Sequence, residues 1–143
     1  AEFYGAEFTA IADVITGVNP LSLRLSGDHV TGKLRNGENL PRMSPTRLGI
    51  GIDTAYSDWD LSIDYRHVFK QTSTAISEDS TDGYNLLSFD LFWRPNDFKG
   101  GELFIQGRNL LNEDGRHHQS FLKDEAPITG LTIMTGLRFR FGD

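Results

Sequence analysis

Apolar and polar side chains alternate along most of this chain, and the stretch WDLSIDYRHVFK is the clearest example. Its odd positions are mostly apolar or aromatic: Trp59, Leu61, Ile63, Tyr65, His67 and Phe69. Its even positions are mostly polar: Asp60, Ser62, Asp64, Arg66, Val68 and Lys70. Successive side chains of a β-strand point to opposite faces, so this pattern predicts a strand with one apolar and one charged face.

The same alternation recurs between turn-forming segments and predicts an all-β fold. We predict seven strands, near residues 2–15, 21–34, 46–56, 59–71, 84–95, 102–112 and 131–141. The connections are alternately short (TGVNP, SD, NDFKGG) and long (RNGENLPRMSP, TSTAISEDSTDG, EDGRHHQSFLKDEAPITG). Antiparallel up-and-down strands would then have short turns at one end and long loops at the other, which is typical of a transmembrane outer-membrane β-barrel.

Strand length and aromatic placement favour lipid over water on the apolar face. The predicted strands have about ten residues or more, whereas strands of soluble proteins average about five or six. Aromatic side chains gather near the strand ends on the apolar face, as interfacial girdles require: Tyr56, Trp59, Phe69, Trp93 and Phe141. A soluble β-sandwich binding module gives the same alternation, and a small self-contained outer-membrane barrel with a structural or adhesive role is a further alternative.

Composition excludes several classes of protein. The net charge of −6 and the absence of a Lys/Arg cluster argue against a nucleic-acid surface. There is no cysteine for a disulfide framework or a thiolate metal site. No apolar run is long enough for a membrane helix, and the polar mean hydropathy fits a barrel whose strands alternate in polarity. With 38% hydrophobic residues, the chain is not a disordered tail.

The polar face predicts a charged wall of the barrel interior. The lumen-facing set includes Asp60, Asp64, Arg66, Asp90, Arg94, Arg108, Arg138 and Arg140. We interpret these side chains mainly as a wetted lining with cross-strand ion pairs. The alternative is a functional polar wall, against which a plug docks and past which a solute moves. Two of them, Asp60 and Asp64, share a face as catalytic carboxylate pairs do, but no nucleophile elbow, phosphate loop or two-histidine motif accompanies them. We therefore predict no enzymatic activity.

Histidines provide the candidate metal ligands. His117 and His118 lie in the longest loop, near the carboxylates of Asp114 and Asp124, and imidazole with carboxylate is a reasonable zinc set. A solvated polar loop is the alternative. By contrast, His67 has the parity of the apolar face near a strand end, which predicts an interfacial anchor.

The chain from Gln106 to Phe141 resembles the C-terminal end of a TonB-dependent outer-membrane receptor. The similarity lies in GRNLLNED, HQSFLKDEAPITG and GLRFRF, and more weakly in GYNLLSFDLFWRP and NLPRMSPTRLGIGID. The segment SFLKDEAP is similar to the branch of the family that includes zinc-uptake receptors. The chain departs from the family at Leu131, where an arginine is common, and at Gly142 and Asp143, which follow the expected terminal aromatic residue.

The resemblance implies that residues 1–143 are the C-terminal segment of a barrel of roughly 22 strands, without its plug domain. Such receptors import a metal or metal chelate across the outer membrane of Gram-negative bacteria. It further implies zinc as the first candidate substrate and a siderophore as the second, with no resident cofactor. The expected partners are the rest of the barrel, its plug, the TonB system acting through the plug, and outer-membrane lipid. The family spacing makes His118 a better zinc ligand than His117, with Asp124 among the further ligands.

Overall fold

The computed structural model describes residues 1–140, which form one antiparallel sheet in the order β1-β2-β3-β4-β5-β6-β7. The strands are β1 (Glu2–Ile15), β2 (Leu21–Lys33), β3 (Arg47–Tyr56), β4 (Trp59–Val68), β5 (Tyr84–Trp93), β6 (Gly101–Arg108) and β7 (Thr132–Phe139). Over this range no helix is long and apolar enough to cross a membrane. The predicted all-β class, the seven strands and their up-and-down order are confirmed.

Strand boundaries agree with the prediction to within a few residues. The largest difference is that β6 ends at Arg108 rather than near residue 112. The physical reason is that Asn109 and Asn112 have φ angles of 48° and 54°, in the left-handed region that a strand does not use. The predicted end of the last strand at Phe141 lies outside the described residues.

The connections differ in length between the two ends of the sheet, as predicted. Residues 16–20, 57–58 and 94–100 form short turns at one end. At the other end lie three long loops, which we name loop A (residues 34–46), loop B (residues 69–83) and loop C (residues 109–131). Because the strands are antiparallel neighbours, all three long loops meet at the same edge of the wall.

The register places apolar and polar side chains in separate rows across the whole sheet. One row runs Ala12, Leu23, Ile52, Ile63, Phe89, Gly107 and Ile133. The adjacent row, on the opposite face, runs Asp13, Ser22, Asp53, Ser62, Asp90, Gln106 and Met134. Residues opposite one another in neighbouring strands point to the same side, so the predicted parity of the two faces is confirmed.

No second layer covers the apolar face within residues 1–140. Phe8 is 52% exposed and Ile50 is 46% exposed, although both lie on strands in the apolar rows. The buried hydrophobic side chains of this part of the chain are Val68 and Tyr84, both at its loop end. A soluble sandwich would bury such a face against a second sheet, and the described chain forms one sheet, so the architecture disfavours that alternative.

Neither edge of the described sheet is closed, because β1 and β7 pair only with β2 and β6 respectively. A self-contained barrel would require these two strands to pair with each other. The seven strands therefore form an open wall rather than a closed ring.

Aromatic pairs mark both ends of the apolar face. At the turn end, Trp59 stacks on Trp93 with 5.5 Å between ring centroids. At the loop end, the ring of His67 lies edge-on to Phe69 at 4.4 Å, and its Nδ1 is 2.8 Å from Asn85 Oδ1. The predicted outward parity of His67 is confirmed, and its ring has both an aromatic and a polar neighbour there.

Candidate functional site

Ion pairs cross the polar face from strand to strand. Arg24 on β2 lies 2.8 Å from Asp64 on β4 and 3.1 Å from Asp53 on β3. Farther along the sheet, Arg108 on β6 lies 2.7 Å from Asp90 on β5. These side chains are partly open to water, so each pair contributes at most about 1 kcal/mol. Their main effect is to orient the charged groups along the wall.

A second charged cluster lies near the short turns. Arg94 contacts Asp60 and lies 2.6 Å from Glu102, whose other oxygen is 2.8 Å from Arg138. Glu102 therefore joins Arg94 of the short turn to Arg138 of β7, and its side chain is only 12% exposed. The two other predicted lumen residues, Arg66 and Arg140, form no ion pair within the described range.

At the opposite end, the carboxylate of Glu78 joins all three long loops. Its Oε1 accepts a hydrogen bond from the backbone N–H of Arg42 in loop A at 2.8 Å. Its Oε2 accepts one from the N–H of Ala75 in loop B at 3.2 Å. From loop C, His118 Nε2 and Lys123 Nζ lie 3.3 Å and 3.8 Å from Oε1.

His118 is buried at the centre of this cluster. Its residue exposure is 1%, and its Nδ1 lies 3.0 Å from Thr81 Oγ1. Its Nε2 is close to Glu78, but it is not aligned for a hydrogen bond and has no other partner within the described residues. Burial lowers the pKa of His118, and the positive charge of Lys123 lowers it further, while Glu78 partly offsets both. The lowered pKa of His118 favours the neutral imidazole.

Glu78 remains ionised in the same surroundings. Burial raises the pKa of its carboxyl group, but hydrogen bonds from Arg42 and Ala75 outweigh that effect, with help from the electrostatic contributions of His118 and Lys123. The net pKa of Glu78 is lowered. The carboxylate is thus held as an anion by donors that come from different loops.

Further contacts join the loops in pairs. The guanidinium of Arg42 lies over the ring of Phe121, 3.1 Å from its centroid, which connects loops A and C. Arg42 has a φ angle of 57°, a backbone conformation that a non-glycine residue adopts at a cost of about 1 kcal/mol. Loops B and C are joined by the ammonium of Lys123, which donates to the carbonyl of Asp79.

The predicted metal ligands do not come together. His117 and Asp124 are exposed, whereas His118 is buried against groups of loop B. Across residues 1–140 no three His, Asp or Glu side chains are grouped as a metal site requires. Zinc binding by His118, His117 and Asp124 stays a prediction, which would need an open loop arrangement or ligands from elsewhere.

The residues that surround His118 were not predicted. Thr81 is 37 positions away in sequence, and Glu78 lies in the same preceding loop. Loops have no side-chain periodicity that would indicate such a pairing. The motif GRNLLNED is a local sequence signal for the base of loop C, and not for the neighbours of His118. Its Asn109 is 5% exposed and donates hydrogen bonds to the carbonyls of Glu113 and Thr129. Those bonds close the base of loop C.

No family model matches the chain. The fold is similar to that of the copper transporter OprC, with a TM-score of 0.79 and 22% sequence identity. The similarity covers 97% of this chain and 23% of OprC. This sheet is a segment of a β-barrel wall. The chain spans about a quarter of OprC, which agrees with the open edges of the described sheet.

The barrel geometry assigns the two faces. The apolar rows form the surface that faces lipid, and the charged rows form the surface that faces the lumen. In outer-membrane barrels the short turns lie on the periplasmic side and the longer loops are extracellular. The cluster around Glu78 lies at the end of the sheet with the three long loops, and the cluster around Arg94 lies at the end with the short turns.

Proposed function

We propose that this chain is the C-terminal barrel portion of a TonB-dependent outer-membrane receptor that imports a metal or metal chelate. The observation that carries the proposal is a single open sheet with one continuous apolar face and one charged face, similar in fold to a segment of OprC. In this proposal the missing strands and a plug domain complete the barrel. TonB acts through that plug, and outer-membrane lipid surrounds the apolar rows.

The ion pairs of the charged wall support the proposal of transport without enzymatic activity. The two carboxylates that share the face of β4 are both engaged, Asp60 with Arg94 and Asp64 with Arg24. A catalytic acid or base needs access to a bound substrate. Carboxylates held in partly exposed ion pairs are suited instead to a hydrated lining.

Two metals are candidate substrates for different reasons. Zinc follows from the likeness of SFLKDEAP to zinc-uptake receptors, and copper follows from the similarity in fold to a copper transporter. A ferric siderophore is the remaining candidate. Since the metal is cargo rather than a resident cofactor, the fold needs no permanently bound ion.

Metal accumulation in cells tests the proposal. Cells that lack the receptor gene, and the same cells carrying it on a plasmid, would be supplied in turn with limiting zinc, copper or a ferric siderophore. We expect the plasmid to increase accumulation of one of these metals, and only in cells that have TonB. Accumulation that is independent of the receptor, or equal without TonB, would contradict an active TonB-dependent importer.

A matched pair of variants tests the predicted zinc ligands in the complete receptor. His118→Ala and His117→Ala would be titrated with zinc by calorimetry at neutral pH. The sequence-based prediction expects weaker zinc binding in His118→Ala and little change in His117→Ala. Unchanged affinity in both variants would remove the two histidines from zinc recognition while leaving the uptake proposal intact.

A further inference from the structure

The strongest unassigned feature of the chain is that one buried carboxylate has partners in three separate loops. Glu78 receives the backbone N–H of Arg42 from loop A, and it faces His118 and Lys123 from loop C. Its own loop B supplies the N–H of Ala75. Each loop therefore loses a partner whenever this carboxylate moves.

Burial makes these contacts mutually dependent. The side chains of Glu78 and Lys123 are each 9% exposed, and that of His118 is 0% exposed. If one loop moved away alone, it would leave an ionised carboxylate or an ammonium group partly desolvated without its partner. Unpaired buried charges are strongly unfavourable, so separate opening of one loop costs more than joint opening.

Contacts away from Glu78 join the same loops. Phe121 of loop C lies under the guanidinium of Arg42 in loop A. Gln71 of loop B donates to the carbonyls of Met43 and Ser44 in loop A at 3.2 Å and 3.3 Å. The loops are therefore connected pairwise at their peripheries and jointly at one carboxylate.

We propose that loops A, B and C open and close as a single body, with Glu78 as the positioning residue that holds them together. Arg42, His118 and Lys123 are its partners on the two other loops. A solute then reaches the charged wall from the extracellular side only when all three loops open together, and not when one loop opens alone. Only that consequence for access rests on the proposed transport function, because the coupling itself is a property of the loops.

Hydrogen–deuterium exchange on the complete receptor in detergent micelles, without any solute, tests the coupling directly. In the unsubstituted protein, amides in each loop report its opening: Arg42 in loop A, Ala75 in loop B and Ile128 in loop C, whose N–H is bonded to Gly115. We expect the three amides to show a common opening equilibrium and the same response to low urea. Three different equilibria would overturn the proposal without any need for a variant.

Substitution provides the second measurement. Glu78→Gln retains the shape of the side chain but removes its charge, and we expect exchange to rise by about tenfold or more in all three loops together. Asp82→Asn is the matched control, because Asp82 is in the same loop, its side chain is 89% exposed, and within residues 1–140 its one ion-pair partner is Lys70. Faster exchange confined to loop B in Glu78→Gln, or an equal effect of Asp82→Asn, would contradict the positioning role.

A variant that keeps a carboxylate at position 78 distinguishes a positioning role of Glu78 from a general effect on loop stability. Glu78→Asp keeps the charge on a shorter side chain, so we expect protection to recover partly in loops A and C together. Recovery in one loop alone would show that the loops are independent. Because solute uptake is not measured in any of these experiments, a failed metal assay and a failed coupling test remain distinguishable.

Discussion

Arg24 reaches Asp64 across the full width of strand β3, with 2.8 Å between Nη2 and Oδ1. The two residues lie on β2 and β4, which pair with opposite edges of β3. Between them lies Gly51, where an added Cβ would be 2.8 Å from Arg24 Nη2 and 3.0 Å from Asp64 Oδ1. The missing side chain at this position allows the ion pair to span three strands.

A larger residue at this position should therefore uncouple the pair. In a double-mutant cycle with Arg24→Gln and Asp64→Asn, we expect a coupling free energy of up to about 1 kcal/mol. The same cycle in the Gly51→Val background should give a coupling near zero, while Arg24 keeps its contact with Asp53. The coupling free energy would be measured by reversible urea unfolding in lipid. A coupling free energy that Gly51→Val leaves unchanged would contradict the geometry in which the ion pair crosses β3.

The two faces should respond differently to the same new side chain. Ile63→Arg places a cation in the lipid-facing row, which costs about 2–4 kcal/mol near the bilayer midplane. Ser62→Arg places it one residue away, on the lumen face, where Ser62 now donates to Asp53 at 2.7 Å. We expect the second change to cost less than about 1 kcal/mol. Similar unfolding free energies for the two variants would contradict the assignment of the lipid-facing and lumen-facing sides of the sheet.

Acidification should loosen loops A, B and C in two steps. The pKa of His118 is lowered from 6.5 by burial and Lys123, so the open loops bind the proton more readily than the closed loops. Its contribution to closure is complete above about pH 6.5 and declines as pH falls from there towards its lowered pKa. Glu78, lowered from 4.5, adds a contribution that is complete above about pH 4.5 and is lost as pH falls through its lowered pKa.

Loop protection measured against pH checks this expectation. Amide exchange rates, corrected for their intrinsic pH dependence, would be followed in the loops and in strands β3 and β4 as a control. We expect protection to fall only in the loops, and the first step to be absent in His118→Gln. Loop protection that increases on acidification would mean that protonated His118 binds Glu78 more strongly than the structure implies.

Asn109 should be hard to replace at the base of loop C. Its side chain donates to the carbonyls of Glu113 and Thr129 at 3.0 Å and 2.9 Å, and accepts from the N–H of Glu113 at 3.0 Å. Asn109→Ala loses these bonds and keeps the φ of 48°, so we expect a cost of about 2–4 kcal/mol in loop stability. Asn109→Gly loses the same bonds but tolerates the angle.

The difference between these two variants isolates the backbone. We expect Asn109→Gly to be about 1 kcal/mol more stable than Asn109→Ala, measured by exchange of the Ile128 amide of loop C, which donates to the carbonyl of Gly115 in both variants. If Asn109→Ala were as stable as the unsubstituted protein, the hydrogen bonds would contribute nothing to the closure of loop C.

Much of the wall could be predicted from sequence because strand geometry is local. Alternation with a period of two assigns every strand residue to a face, so Ile63 and Asp64 were placed on opposite sides before any register was known. The lengths of the connections likewise predicted which end carries the long loops. The end of β6 was misplaced because left-handed φ angles at Asn109 and Asn112 interrupt a run whose composition still suits a strand.

Partners that are distant in sequence were decided only by the tertiary structure. The alternation predicts that Arg24 and Asp64 share a face, but the pairing of β2 and β4 with β3, and the space above Gly51, make them neighbours. In the loops no periodicity exists, so His118 was assigned to nearby acidic residues of its own loop. Its actual neighbours are Glu78 and Thr81, because the packing of loop C against loop B brings these groups together regardless of their separation along the chain.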